Sequence, residues 1–113
     1  MICLALNVYH EARGEPERGQ VAVALVTLNR SKRTGKDVCT VVAEPNQFSW
    51  TRDKVPQPKG KAWQVAKKLA RTSLSTFDFT HGSEFFHTLR VSPYWSRIFK
   101  RTIQVGNHVF YKR

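Results

Sequence analysis

The sequence is poor in acidic residues and in cysteine, and it has no long apolar run. Its 113 residues include 19 Lys and Arg but only 8 Asp and Glu, which gives a formal net charge of +11. Such an excess favours a polyanionic partner, namely nucleic acid, an anionic membrane or an anionic cell-wall polymer. No stretch approaches the ~20 apolar residues that cross a bilayer. The sequence therefore predicts no transmembrane helix.

The N-terminus lacks the features of a secretory signal peptide. No basic segment precedes Ile2, and Asn7, His10 and Glu11 interrupt the first apolar run. If the protein acts outside a cytoplasm, we therefore expect either another route of delivery or a leader that has been removed.

The two cysteines, Cys3 and Cys39, are too few for a disulfide scaffold. Both have apolar neighbours, which favours buried free thiols. A single bridge between them stays open as an alternative, because bridging depends on the Cα separation.

The four histidines do not form a metal-binding pattern. The segment that begins at His10 is not H-E-x-x-H, because Gly14 occupies the fourth position after it, and His81 and His87 are separated by five residues. The sequence thus predicts no metal site, and it gives no sign of a cofactor. We expect His81 and His108 to be surface or hydrogen-bonded residues.

Apolar periodicity predicts helices in the first two thirds of the chain and strands in the last third. Residues 21–28 are almost uniformly apolar, which is typical of a central buried helix. We expect an α+β fold in a single catalytic domain, residues 1–113, with a Pro-rich functional loop at residues 45–60. The predicted elements are helices at residues 2–13, 16–32 and 61–74, a short helix capped by Asp37, and a hairpin with its turn at Gly106 and Asn107.

The stretch YHEARGEPERG, residues 9–19, places Glu11 where a helix does not favour an acid. Gly14 is a natural helix end, so Glu11 falls in the last turn, where the helix carries partial negative charge. Apolar neighbours would also desolvate the carboxylate. Both effects would raise the pKa of Glu11 towards that of a proton donor near neutral pH, unless His10 or Arg13 pairs with it. Because this position is unfavourable for helix stability, the presence of Glu11 there predicts a catalytic acid.

The other two acids of this stretch have a structural explanation. Pro16 fits the first turn of the second helix, and Glu15 and Glu17 lie beside the positive N-terminal end of that helix. Glu15 nevertheless stays a possible second carboxylate.

Several blocks of the chain, in this order, resemble the SleB-type cell-wall hydrolase family of spore-cortex lytic enzymes and related phage endolysins. Together they span nearly the whole sequence, and the first is the most specific. The blocks are LALNVYHEARGEPERGQVAVALVTLNR, VCTVVAEPNQFSW, FTHGSEFFHT, SPYW and VGNHVFY. The resemblance implies a lysozyme-like fold, with a mainly helical lobe followed by a small antiparallel β-sheet. It also implies cleavage of the β-1,4 bond between N-acetylmuramic acid and N-acetylglucosamine in peptidoglycan.

The resemblance also implies site residues. The family's catalytic glutamate corresponds to Glu11, the first in the EARGE block. The matched positions expected to line or flank the cleft are Gln47, Phe48, Ser49, Thr80, Gly82, Phe86, His87 and Tyr111.

Aromatic residues suit a sugar-binding cleft, because sugar rings present apolar faces edged with hydroxyls. By this criterion Phe48, Trp50 and Trp95 are candidates for contact with the glycan, whereas Trp63 has the spacing of a core residue.

A single acid suffices for lytic transglycosylation, because the same carboxylate donates a proton to the glycosidic oxygen and then accepts one from the muramic acid C6 hydroxyl. A hydrolytic muramidase would need a second carboxylate. Besides Glu15, the candidates are Asp78 and Glu84.

A nucleic-acid-binding module is the alternative from a different class, since net charge and aromatics fit it. However, Lys and Arg are spread along the chain, and the apolar second helix would be a poor recognition helix. We therefore expect a monomer that binds peptidoglycan glycan strands, with its basic surface attracted to the anionic bacterial envelope, and no nucleic acid. The expected site of action is the bacterial cell wall, reached with a phage holin or through a removed leader. A third possibility is a wall-binding domain without activity.

Overall fold

The computed structural model describes residues 2–44 and 56–113, which form a helical lobe followed by a small sheet. No helix in these two ranges is long and apolar enough to cross a membrane. The elements in chain order are α1 (Ile2–Ala12), α2 (Glu17–Thr34), α3 (Val38–Ala43), α4 (Gly60–Ser73), β1 (Phe85–Thr88), a 3-10 turn (Tyr94–Arg97), β2 (Lys100–Val105) and β3 (His108–Lys112).

Helix α2 is the centre of the helical lobe, as its apolar run predicts. Its residues 19–27 are all buried, and α1, α3 and α4 pack around it. One core cluster joins Leu4 and Val8 of α1 to Ala24 of α2 and Ala66 of α4. Trp63 packs against this cluster, which confirms the prediction that it is a core residue.

A buried polar contact also joins the first two helices. Asn7, which interrupts the apolar run of α1, is fully buried and accepts a hydrogen bond from the Thr27 hydroxyl at 2.5 Å. This contact satisfies the Asn7 oxygen, whereas the buried Nδ2 atom has no hydrogen-bond partner among the described residues, and such an unpaired group is costly.

The three strands form an antiparallel sheet in the order β1-β3-β2. The turn between β2 and β3 contains Gly106 with φ of 57°, the left-handed backbone that glycine adopts without strain. Val105 and Phe110 of this hairpin pack with Ala12, Val23 and Val26 in a second core cluster. The end of α1 is therefore fixed against the sheet.

The predicted elements are confirmed to within two residues at their ends. Asp37 caps α3 by accepting the Thr40 amide at 2.8 Å, and the hairpin turns at the predicted glycine. The expectation of buried free thiols is wrong. Cys39 is exposed and Cys3 is partly exposed, and the two form a disulfide across 36 residues that links α1 to α3.

Candidate active site

Glu11 lies in the last turn of α1, as the sequence predicts, and its side chain is partly exposed. The next residue, Ala12, is buried in the cluster with Phe110, against which Phe86 packs. The end of α1 that carries Glu11 thus lies where the helical lobe meets the sheet. Beside it, burial and, to a smaller extent, the charge of Arg13 lower the pKa of His10.

Glu15 connects the loop after α1 to the β2–β3 turn. Its carboxylate accepts a hydrogen bond from the Asn107 amide at 2.9 Å and another from the Asn107 side chain at 3.2 Å. A Cβ on Gly106 would overlap Glu15 Oε1, so glycine is required there for the close approach as well as for the turn. Glu15 therefore fixes the hairpin to the loop that begins immediately after Glu11 and Ala12.

His108 lies close to this connection and is buried, so the surface position, one of the two sequence-based alternatives, is wrong. It is 3% exposed, and its Nδ1 atom has no hydrogen-bond partner among the described residues. The Nδ1 atom is 3.9 Å from Glu15 Oε1. Burial lowers the pKa of His108, the charge of Glu15 opposes this, and His87 adds to the lowering. The imidazole is therefore neutral at neutral pH, and it is neither a surface group nor hydrogen-bonded at Nδ1.

The predicted substrate-binding residues of β1 and β3 lie on two faces of the sheet. Phe86 pairs with Phe110, and its ring meets His108 edge-on with centroids 5.1 Å apart. His87 and Tyr111 lie on the opposite face, since successive side chains of a strand alternate. Phe86 is thus on the side of the sheet that faces the end of α1.

His87 and Tyr111 form a hydrogen-bonded and stacked pair. His87 Nδ1 donates to the Thr88 carbonyl at 2.7 Å, because a carbonyl oxygen only accepts, and Nε2 is within hydrogen-bond distance of the Tyr111 hydroxyl at 3.0 Å. The two rings stack with centroids 5.3 Å apart. Trp95 meets the Tyr111 ring edge-on at 5.3 Å and continues this aromatic layer.

Thr80 is fully buried, and its polar atoms are used within a turn. Its hydroxyl and its amide both bond to Asp78 Oδ1, at 2.5 and 2.9 Å, and Asp78 Oδ2 accepts from Gly82 and Asn29. The bonds from Thr80, Asn29 and Gly82 keep the pKa of Asp78 low even though burial, the largest single effect, acts to raise it. Buried Thr80 therefore stabilises the turn that precedes β1.

Glu84, another candidate second carboxylate, is also engaged. It is 7% exposed, and its Oε1 atom accepts from Arg33 Nε at 2.5 Å. Four predicted cleft residues, Gln47, Phe48, Ser49 and Trp50, lie outside the described residues.

A groove of about 450 Å³ runs beside this region. Its described lining combines Glu15 with residues at and after the end of β1 and in the hairpin turn, namely Thr88, Leu89, Arg90 and Asn107. Sequence reasoning missed Asn107 and the buried position of His108. Their contacts with Glu15 join residues 92 and 93 positions apart in the sequence. A local sequence pattern cannot predict contacts between residues so far apart in the chain.

Comparison with known proteins identifies related sequences. A family model described as Cell Wall Hydrolase matches residues 14–111, a segment that begins three residues after Glu11. A spore cortex-lytic enzyme of Oceanobacillus iheyensis is 33% identical over 96% of this chain. The chain spans about 40% of the length of that relative.

Two solved structures match nearly the whole chain. The catalytic domain of the germination-specific lytic transglycosylase SleB from Bacillus anthracis has a TM-score of 0.79 at 29% identity, and covers 97% of this chain and 91% of that one. The catalytic domain of the Bacillus cereus SleB protein has a TM-score of 0.81 at 30% identity, with 96% and 86% covered. These matches confirm the predicted lysozyme-like α+β fold.

Proposed function

The chain belongs to the cell wall hydrolase family, and on that premise we propose that it is a lytic transglycosylase of peptidoglycan with Glu11 as its general acid and base. The bond cleaved is the β-1,4 linkage between N-acetylmuramic acid and N-acetylglucosamine. The product is a glycan that ends in 1,6-anhydro-muramic acid.

The position of Glu11 supports its role. A carboxylate in the last turn of a helix is destabilised by the helix dipole, and Glu11 is partly withdrawn from water beside the buried Ala12. The first chemical step requires a carboxyl group that can donate a proton, and this is a position where a helix does not favour a negative charge. Its neighbourhood also meets the sheet through the shared cluster with Phe110, so the acid has a fixed backbone position.

The observation that carries the choice of transglycosylation is the engagement of the other candidate carboxylates. Glu15 accepts two hydrogen bonds from Asn107, Glu84 pairs with Arg33, and Asp78 is bonded within its own turn. Among the described residues, each of these three carboxylates therefore has a structural partner. A mechanism that uses one carboxylate does not require any of them to be released.

The reaction balances with Glu11 alone. Protonated Glu11 donates its proton to the glycosidic oxygen as the bond to C1 of muramic acid breaks through an oxocarbenium-like transition state. The resulting carboxylate accepts the proton of the C6 hydroxyl, and O6 forms the new bond to C1. The enzyme ends in its starting protonation state, and no water is consumed.

The glycan is proposed to follow the groove past Glu15, Thr88 and Asn107. Phe86 would support the site from the Glu11 side, while Thr80, His87 and Tyr111 would position the segment around β1 rather than open directly onto the sugar. Gln47, Phe48, Ser49 and Trp50 remain proposed contacts on the grounds of the family resemblance. The protein would act as a monomer at the bacterial cell wall, with the endolysin role as one biological setting.

Product analysis in isotopically heavy-oxygen water tests this reaction. Digested, purified peptidoglycan is examined by mass spectrometry. Transglycosylation gives anhydro ends, one water lighter than reducing ends and without heavy oxygen. Reducing ends that carry heavy oxygen would establish the hydrolytic muramidase instead. Intact glycan, together with tight binding to the wall, would indicate a binding domain.

A further inference from the structure

A strongly basic groove lies at the open end of the β2–β3 hairpin, away from the Glu15 connection. It has a volume of about 260 Å³ and is lined by His81, Lys100, Arg101, Thr102 and Lys112. The hairpin turn is at the other end of these strands, five residues along β2. At ~3.3 Å per residue the two ends are ~16 Å apart, so this groove does not overlap the groove beside Glu15.

Two cations of the groove form a like-charge pair across neighbouring strands. Lys100 and Lys112 are direct partners in the β2–β3 register, and like charges directly opposite each other destabilise a strand pair. Among the described residues, neither lysine and no atom of Arg101 takes part in an ion pair. The Arg101 guanidinium bonds to Gln104 at 3.0 Å, which leaves its charge uncompensated.

Nearby acidic residues do not neutralise the groove. The Glu84 amide donates to the Tyr111 carbonyl, next to Lys112, yet the Glu84 carboxylate is directed to Arg33. Asp78 lies before His81, but its oxygens accept hydrogen bonds within the turn. The chain thus has carboxylates close to this surface and uses them elsewhere.

The backbone around the groove is irregular at two points. His81 has φ of 56°, the one positive value at a non-glycine position among the described residues, and such a conformation is uncommon outside glycine. A bulge interrupts the β2–β3 register between Arg101 and Ile103, which re-aims side chains locally. The Thr102 hydroxyl at the bulge bonds to buried Ser83 at 2.6 Å, so the base of the groove is fixed.

We propose that this groove binds the phosphodiester backbone of an anionic polyol-phosphate polymer attached to the bacterial wall. Lysine is a point-charge binder of phosphate, and the arginine fork fits phosphate oxygens. The described lining has no Phe, Tyr or Trp on which unstacked bases could lie, which favours a polyol phosphate over a nucleic acid. The choice of a wall polymer rests on the proposed function. The site would retain the enzyme on its substrate while the glycan is cut elsewhere.

Binding to a defined poly(glycerol phosphate) oligomer tests the proposal. The wild type is compared with the double variant Lys100→Gln, Lys112→Gln by titration at several salt concentrations. The control is Lys61→Gln, Lys68→Gln, which removes the same charge from two exposed lysines of α4. We expect the groove variant to bind about tenfold more weakly, with a shallower salt dependence, because two charged contacts are lost. The control should bind like the wild type.

Each other outcome overturns the proposal. Equal weakening in both double variants would mean that net charge alone attracts the polymer. A preference for polyglutamate or a single-stranded oligonucleotide of matched charge would assign the groove to another partner. No binding by the wild type would remove the site. Misfolding is not expected to confuse the result, since the groove variant removes a like-charge pair and should be at least as stable as the wild type.

Activity separates this proposal from the proposed function. On peptidoglycan stripped of the polymer, the groove variant should release fragments at the wild-type rate. On walls that retain the polymer it should be slower, whereas the α4 control should not. If the wild type digests neither wall but binds the oligomer through the groove, the enzymatic proposal fails and the groove proposal stands.

Discussion

Replacing Glu15 with alanine should destabilise the protein by about 2 kcal/mol, because a hydrogen bond to a charged group contributes about 1.5–3 kcal/mol. The side chain of Glu15 is 14% exposed, and its carboxylate accepts from both the amide and the side chain of Asn107. The Asn107 side chain is exposed and can bond to water after the substitution. The main loss is therefore the backbone contact to the turn.

Two matched variants should lose less stability than Glu15→Ala. Glu15→Gln keeps one acceptor oxygen for the Asn107 amide and should lose about half as much stability, about 1 kcal/mol. Glu17→Ala removes an exposed acid from the first turn of α2, where the helix dipole alone contributes, and should cost about 0.5 kcal/mol or less. Chemical denaturation followed by circular dichroism gives the three free energies of unfolding.

The same variants decide between a connecting residue and a second catalytic carboxylate. We expect the activity of Glu15→Gln to fall by a few-fold at most when the variant is folded. A second carboxylate would behave differently, since its loss should reduce activity by orders of magnitude at unchanged stability. That result would refute the structural role. It would also be refuted if the free energies of unfolding of Glu15→Ala and the wild type differed by less than about 0.5 kcal/mol, well below the loss expected for a hydrogen bond to a charged group.

Reduction of the Cys3–Cys39 disulfide, or the double serine variant, should lower the free energy of unfolding by about 4 kcal/mol, the loop-closure value for its 36-residue separation; an unchanged denaturation midpoint in reductant would contradict the bridge. Burial lowers the pKa of His108 in the folded state. Below about pH 6.5 the unfolded chain therefore binds more protons than the folded one, and the free energy of unfolding should fall by up to about 1.4 kcal/mol per pH unit. His108→Gln should flatten that fall and exposed His81→Gln should not, as pH-dependent denaturation would show. Gly106→Ala should destabilise by more than about 1 kcal/mol, because its backbone has positive φ and a Cβ would meet Glu15; a wild-type melting temperature would refute that close approach.

Local signals explain why much of the fold is predictable from the sequence. Asp37 caps α3 through a residue three positions away, and the glycine at the hairpin turn meets a requirement of its own backbone. The apolar run of α2 predicts burial because all sides of that helix are covered by neighbouring elements. In each case the determining interaction lies within a few residues or follows from uniform composition.

The remaining features depend on distant pairs. Apolar neighbours indicated buried thiols at Cys3 and Cys39, yet Cys3 is partly exposed, Cys39 is exposed, and the two form a disulfide. Glu15 satisfies the expectation for a helix N-terminus equally well whether or not it reaches the turn at Asn107. The packing of the sheet on α1 and α2 determines its actual partner, and this packing cannot be predicted from a single sequence.

The most direct test of the central proposal compares the wild type with Glu11→Gln on purified peptidoglycan, with Glu17→Gln as the control for removal of one nearby acid. We expect Glu11→Gln to lose turbidity clearance and the release of anhydro-muramic fragments, with circular dichroism unchanged, while the control stays active. Full activity of the folded Glu11→Gln variant would contradict the assignment of Glu11 as the proton donor.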